Sequence, residues 1–499
     1  MKVAFRCAMA LLIAVLATGC SSFKHKKQMN SFNDAYTTGD FDRALLAVSF
    51  KTAEGKAVDS EAHLLDLLHQ GELYRMAGRY QEAADTYDLA EEGMKYLDTE
   101  SLLEQSAEGF MAVMVNDSER DYEALMSEAI LVNTYKALSF LAVANNEYAR
   151  IEFKRADDRT RRSVEFFGKE IAEQREALEE EAQNQQSNAA LVSDSLSNNQ
   201  LQDAVEKNYG ASQQWSVLSE FMVPASTYMN GLYSLANASS NSDFEQAASS
   251  LKRVAAMKDD SLVLQKDAEL AMALASGEQS VTDLGPQVWV VYENGLGPVL
   301  EESRFDVPLL LFHGNQQAPA YFGIALPKYS DRAFIPGGLS VSSRTGEVVE
   351  TERISDMGSV IRTEMKARFP GVLARAVSSA VIKAIIQNEA SEQFGVWGQL
   401  GAAALTIATT QADLRGWQAL PNHWQAARID RPEDGQLLLS DAAGNALGTL
   451  AIPEQPFTLV YVKRPTTTSP ASVVVLDLQG GNPAFVEQLP KPAQLTAAP

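Results

Sequence analysis

The chain has 499 residues, 65 of them acidic and 42 basic, for a formal net charge of −23. A field of that sign excludes general electrostatic binding of nucleic acid. The length is enough for two or more domains, each with its own core. Only two cysteines occur, Cys7 and Cys20, and both lie in the first twenty residues. Beyond them no disulfide, thiol nucleophile or cysteine–zinc site can form. The five histidines, His25, His63, His69, His313 and His423, are scattered. His63 and His69 are six apart and fall on different faces of a helix. No metal or other cofactor is expected.

Residues 1–19 have the order of a secretory signal. Lys2 and Arg6 form a cationic start, and Ala8 to Ala17 is an uncharged apolar run. It is too short for a comfortable bilayer span, which needs ~20 residues. Leu16-Ala17-Thr18-Gly19-Cys20 then puts small residues directly before a cysteine. That is the pattern of a bacterial lipoprotein signal, with the fatty acyl groups carried on Cys20. Ser21 at the next position looks like an outer-membrane address, with the body facing the periplasm. Residues 20–29 read as a lipidated tether, in which Lys24, His25, Lys26 and Lys27 could meet anionic headgroups.

Residues 30–285 read as an all-α region. Its clearest unit runs from Leu64 to Leu97 and contains Gly71, Tyr74, Gly78, Tyr80, Ala83, Tyr87 and Ala90. This resembles a tetratricopeptide repeat (TPR). Gly71 and Ala83 are small where two helices should cross, and Tyr74 and Tyr87 fill the space beside them. Weaker echoes start at Gly39, Tyr135 and Ser242. Stacked units of this kind would form a short solenoid. Glu72 and Arg75 are left free to face its groove. Arg150 to Gln185 reads as a long charged helix, and 183–214, rich in Asn, Gln and Ser, as a linker.

Residues 286–479 change pattern. Strand-type runs occur at Val288–Glu293, Val307–Phe312, Tyr321–Leu326, Leu339–Ser343, Gln436–Ser440, Phe457–Lys463 and Val473–Leu478, with an edge at Glu347–Glu352. Ser355 to Ala390 has helical spacing. Gln393 to Ala412 carries no charge, but its Gln, Thr and Gly content predicts burial in the domain rather than a span. Residues 480–499 read as a disordered tail. The expected class is therefore α+β: a TPR-like solenoid followed by a mixed α/β domain.

Three stretches carry a family resemblance. They are Asn133–Leu138 with Ala149–Phe153, Val288–Gly295, and Ala412–Trp417 with Leu420-Pro421. In them the chain resembles an uncharacterised family of bacterial TPR-containing outer-membrane lipoproteins, similar to those encoded near LpoB-type envelope proteins. The resemblance implies a role in envelope assembly.

Asp413, Arg415 and Trp417 form the most site-like cluster. An Asp and an Arg could recognise a polar ligand with Trp417 as a stacking face, or they could be an ion pair and a packed indole. Asp356 and Arg375 could join them. No phosphate loop or nucleophile elbow occurs. The sequence thus points to a non-enzymatic scaffold that binds an envelope protein through its helical region without help from the second. The alternative is a glycan- or peptidoglycan-binding or -acting protein with its site in the second region.

Overall fold

The computed structural model describes residues 24–52, 55–97, 121–163, 192, 194–209, 218, 221–313, 316–343 and 346–489. The segment read as a signal, Cys20, residues 164–185 of the stretch read as a charged helix and the last ten residues lie outside these.

The helices come first. α1 spans 24–36, α2 Phe41–Ala47, α3 Leu64–Met76 and α4 Tyr80–Gly93. α5 spans Met126–Ala142, and α6 occupies 146–163. After α7, Asn199–Tyr209, come α8, Pro224–Ala236, α9, Asn241–Met257, α10, Leu262–Ser276, and the short α11, Val281–Leu284. Asp40 caps α2 by accepting from the Arg43 N–H, and Ser240 caps α9 through Asp243 N–H. Gly78, at φ +76°, makes the turn from α3 to α4. Those two helices cross closely, since a Cβ on Gly71 would lie 2.5 Å from the Tyr87 ring. α8 and α9 repeat the device, with Gly231 set against Leu251. Every residue of α5 is buried, so it is covered on all sides.

Three sheets follow. β1, Gln287–Asn294, lies in a six-stranded sheet of order β12-β11-β10-β1-β7-β6. The partners are β6, Glu352–Asp356, β7, His423–Asp430, β10, Phe457–Arg464, β11, Ala471–Asp477, and β12, Phe485–Leu489. β1 pairs with β10 in parallel; the other pairs are antiparallel. A four-stranded sheet has the order β5-β4-β8-β9, with β4 Ser340–Ser343, β5 Val348–Glu350, β8 Gln436–Ser440 and β9 Ala446–Ala451. β2, Val299–His313, and β3, Gln316–Ser330, form a separate hairpin. α12, Met357–Thr409, is a single long helix that continues through Pro370.

Side-chain alternation turns these elements into layers. Trp289, Val291, Phe457, Leu459, Tyr461, Val474 and Leu476 belong to the same buried cluster as the helices. Val288, Val290, Tyr292, Val460, Val462, Val473 and Val475 face the other way and pack with Leu339, Val341, Leu437 and Leu439 of the small sheet. The order is helices, large sheet, small sheet. β1, β10 and β11 are buried throughout, as strands apolar on both faces should be.

The chain is a mixture of helix and sheet, as expected, and several strands fall where the sequence placed them. β7 and β9 fall where no strand is expected, and other features differ. Residues 485–489, assigned to the tail, complete the large sheet as β12. Residues 199–209, inside the presumed linker, are helical, and Leu201 packs with Ile324, Leu326, Val377 and Val381. The helix expected over Ser355 to Ala390 runs on through the uncharged stretch to Thr409 as α12. No helix among the described residues is long and apolar enough to cross a membrane. Finally, Glu72 and Arg75 face no groove. Both are buried, because the polar side of α3 meets charged groups of the large sheet.

Candidate ligand cavity

A cavity of about 170 Å³ lies where α5, α12, the base of the β2–β3 hairpin and the segment 412–420 meet. α12 contributes Met357, Ile361, Met365, Arg368, Val372 and Arg375. Their spacings of three and four keep them on one helix face. Leu300 and Leu326 of the hairpin add apolar wall. Asp413, Arg415 and Trp417 all line it.

The segment 412–420 has no regular structure, yet its backbone is held from several directions. Glu302 accepts from Ala412 N–H at 2.9 Å, and Glu128 accepts from Trp417 N–H at 3.1 Å. His69 Nε2 accepts from Gln418 N–H at 3.2 Å while its Nδ1 donates to Leu65 carbonyl. Burial brings the His69 imidazole down to about 4, so it stays neutral in that role. Lys463 donates to Ala419 carbonyl at 2.8 Å, and Arg332 donates to Gln418 carbonyl. Helices and sheet together therefore fix this wall in advance.

Arg415 grips Asp413 with two bonds, Nε to Oδ1 at 2.9 Å and Nη2 to Oδ2 at 2.7 Å. Trp417 is only 4% exposed, and its ring meets Tyr135 and Tyr87 edge to face at centroid distances of 5.8 and 5.9 Å. The three residues are thus adjacent as expected, as an ion pair beside a packed indole. Arg375 joins them in the cavity wall. Asp356 does not; it caps α12 by accepting from Ser359 N–H at 2.8 Å. Gly71, Ala83 and Tyr87 sit in the α3/α4 crossing, whereas Tyr74 is half-buried beneath the Arg79 guanidinium.

Sequence reasoning missed two carboxyls at the start of α5. Glu128 accepts from Tyr122 hydroxyl and Leu125 N–H as well as Trp417. Burial pushes its carboxyl up to about 7 despite those bonds, and the nearby Glu364 adds to the rise. Glu364, carried by α12, accepts from Met126 and Ser127 N–H groups, and burial raises it too. Both use the positive end of the α5 dipole. Position 128 has the spacing of a capping acid, the one signal available; no local signal announced its burial.

Beneath the cavity wall lies a second unexpected feature. Arg75 donates to Glu72 at 2.9 Å and to Glu293 at 3.1 Å. Lys463 approaches the same two carboxylates at 2.7 and 2.6 Å. Tyr461 and Tyr87 hydroxyls donate to Glu293 and Glu72 respectively, and Arg75 lies over the Tyr135 ring. Burial would raise Glu293, but Lys463 and then Arg75 override it and hold the carboxyl well below its ordinary range. Two positive and two negative charges balance in the closed core between α3 and the sheet.

Among the described residues no cluster of His, Cys, Asp or Glu could hold a metal ion. No family model, no curated protein and no solved structure matches this chain.

Proposed function

We propose that the chain is an outer-membrane lipoprotein, anchored through Cys20 and facing the periplasm, that serves as a binding scaffold for an envelope protein. In this role α3/α4, α5/α6 and α8/α9 act as TPR-like pairs. The observation that carries it is the glycine-closed crossing of Gly71 on Tyr87, repeated by Gly231 on Leu251. Such crossings lock helix pairs rigidly, and rigidity is what a scaffold needs. The acid excess of the chain favours a partner with a basic surface.

The glycan-binding alternative is weaker, because both neighbours of Trp417 cover the ring that a sugar would stack on. The test is capture of partners by the full lipidated chain from detergent-solubilised envelopes at low and high salt. The expected result is one envelope protein recovered in stoichiometric amount and lost at high salt. Recovery of peptidoglycan fragments with no protein would overturn the scaffold reading.

A further inference from the structure

The cavity has unsatisfied donors. Arg375 Nε and Trp417 Nε1 are both buried, both belong to residues lining the cavity, and neither N–H has an acceptor. A buried donor without a partner is costly, and such groups are rare in folded proteins. What would satisfy them is an occupant rich in acceptor oxygens. Leu300, Leu326, Met357, Ile361, Met365 and Val372 form the apolar part of the wall and suit an apolar body, while Asp121, Glu123, Glu128 and Asp413 also line the cavity beside Arg368 and Arg415. The volume compares with the ~150 Å³ apolar cavity that holds a benzene-sized group. It therefore fits the head and first carbons of a chain rather than a whole lipid.

The position also favours a lipid. His25 of α1 lies close enough to Arg415 and Asp413 that both charges act on its imidazole, and its Nε2 is another buried atom without a partner. Cys20 precedes His25 by five residues, a reach of at most about 18 Å. A chain anchored through Cys20 would hold this cavity beside the membrane surface.

We propose that the cavity binds an anionic acyl lipid, its carboxylate or phosphate meeting Arg375 and Trp417 N–H and its chain lying on the α12 face. The source of the lipid rests on the anchored reading above, whereas the chemistry of the cavity does not. The full mature chain carrying Cys20→Ser is the protein to use, because its own acyl groups then cannot compete. Calorimetric titration compares decanoate, dihexanoyl phosphatidylglycerol, the neutral decyl maltoside and a muropeptide. The expected result is saturable one-to-one binding of an anionic lipid, at least tenfold tighter than the maltoside. Decanoate binding more tightly would identify a free fatty acid as the ligand; the phosphatidylglycerol binding more tightly would identify a membrane phospholipid.

Arg375→Met should weaken that binding about tenfold without lowering the melting temperature, since it removes a donor that has no partner. Val372→Trp, which fills the cavity, should abolish it. Equal binding of the maltoside, preference for the muropeptide, no saturable binding, or indifference to Arg375→Met would each overturn the proposal. None of these outcomes alters the acylation of Cys20 or the capture of a protein partner, so failure of the cavity and failure of the scaffold are distinguishable.

Discussion

Lys463 of β10 lies 2.7 Å from Glu72 of α3, and the contact joins helices to sheet through the closed core. The same ammonium reaches Glu293 of β1 at 2.6 Å, so one side chain neutralises carboxylates from two layers. Removing it leaves Arg75 alone between two buried acids. Lys463→Met should cost ~3–5 kcal/mol, the range for breaking a buried pair from one side. Urea unfolding of both proteins measures it; a loss below ~1 kcal/mol would show that water reaches the cluster.

Glu128 gives the structure a pH dependence. Its folded value is about 7 against an ordinary 4.5, so the folded state binds this proton more tightly than the unfolded chain does. The resulting stability is complete below the ordinary value and is lost as pH rises through about 7. Glu128→Gln removes this titration while Glu364 remains in both proteins. Between about pH 5 and 8 the wild type should lose up to roughly 3 kcal/mol relative to the variant. Parallel stability curves would contradict the assignment.

The α3/α4 crossing is tested at its tightest point. Gly71→Ala puts a methyl group 2.5 Å from the Tyr87 ring, and Tyr87 is itself fixed by Glu72. The ring cannot move freely, so overpacking should cost ~1–3 kcal/mol. An unchanged melting temperature would mean that the helices separate easily. Ala83→Leu on the facing helix should behave alike, since Ala83 is fully buried.

The shared core predicts that the helices do not stand alone. Trp289, Val291, Trp424, Phe457 and Leu459 close the same cluster that α3, α4 and α5 build. A fragment of residues 24–285 exposes that face and uncovers the Glu72–Arg75 pair, which loses Glu293 and Lys463. It should bind a hydrophobic dye and unfold without a sharp transition. A fragment that melts cooperatively would show that the helical layer is an independent unit.

Helix pairs and central strands were legible because period and turn chemistry are local. Gly71, Gly78 and Tyr87 announce a turn and a crossing, and Val288 to Glu293 announces a buried strand. The fate of Glu72 and Arg75 was not legible: helical spacing shows that they share a face but not that Glu293 and Lys463, more than 200 residues away, cover it. β12 was hidden by its Pro- and Ala-rich surroundings, and β7 by the polar residues His423, Gln425 and Arg428. Asp413, Arg415 and Trp417 were found as neighbours in sequence. The cavity they line needed Arg375, Val372 and Glu128, which only the fold brings to them.

The proposed role as an anchored scaffold requires the anchor first. The direct measurement is mass spectrometry of the mature N-terminus recovered from separated membranes. The expected result is a chain beginning at Cys20, carrying fatty acyl groups and found in the outer-membrane fraction. An unmodified Cys20 in a chain recovered from the soluble fraction would contradict it.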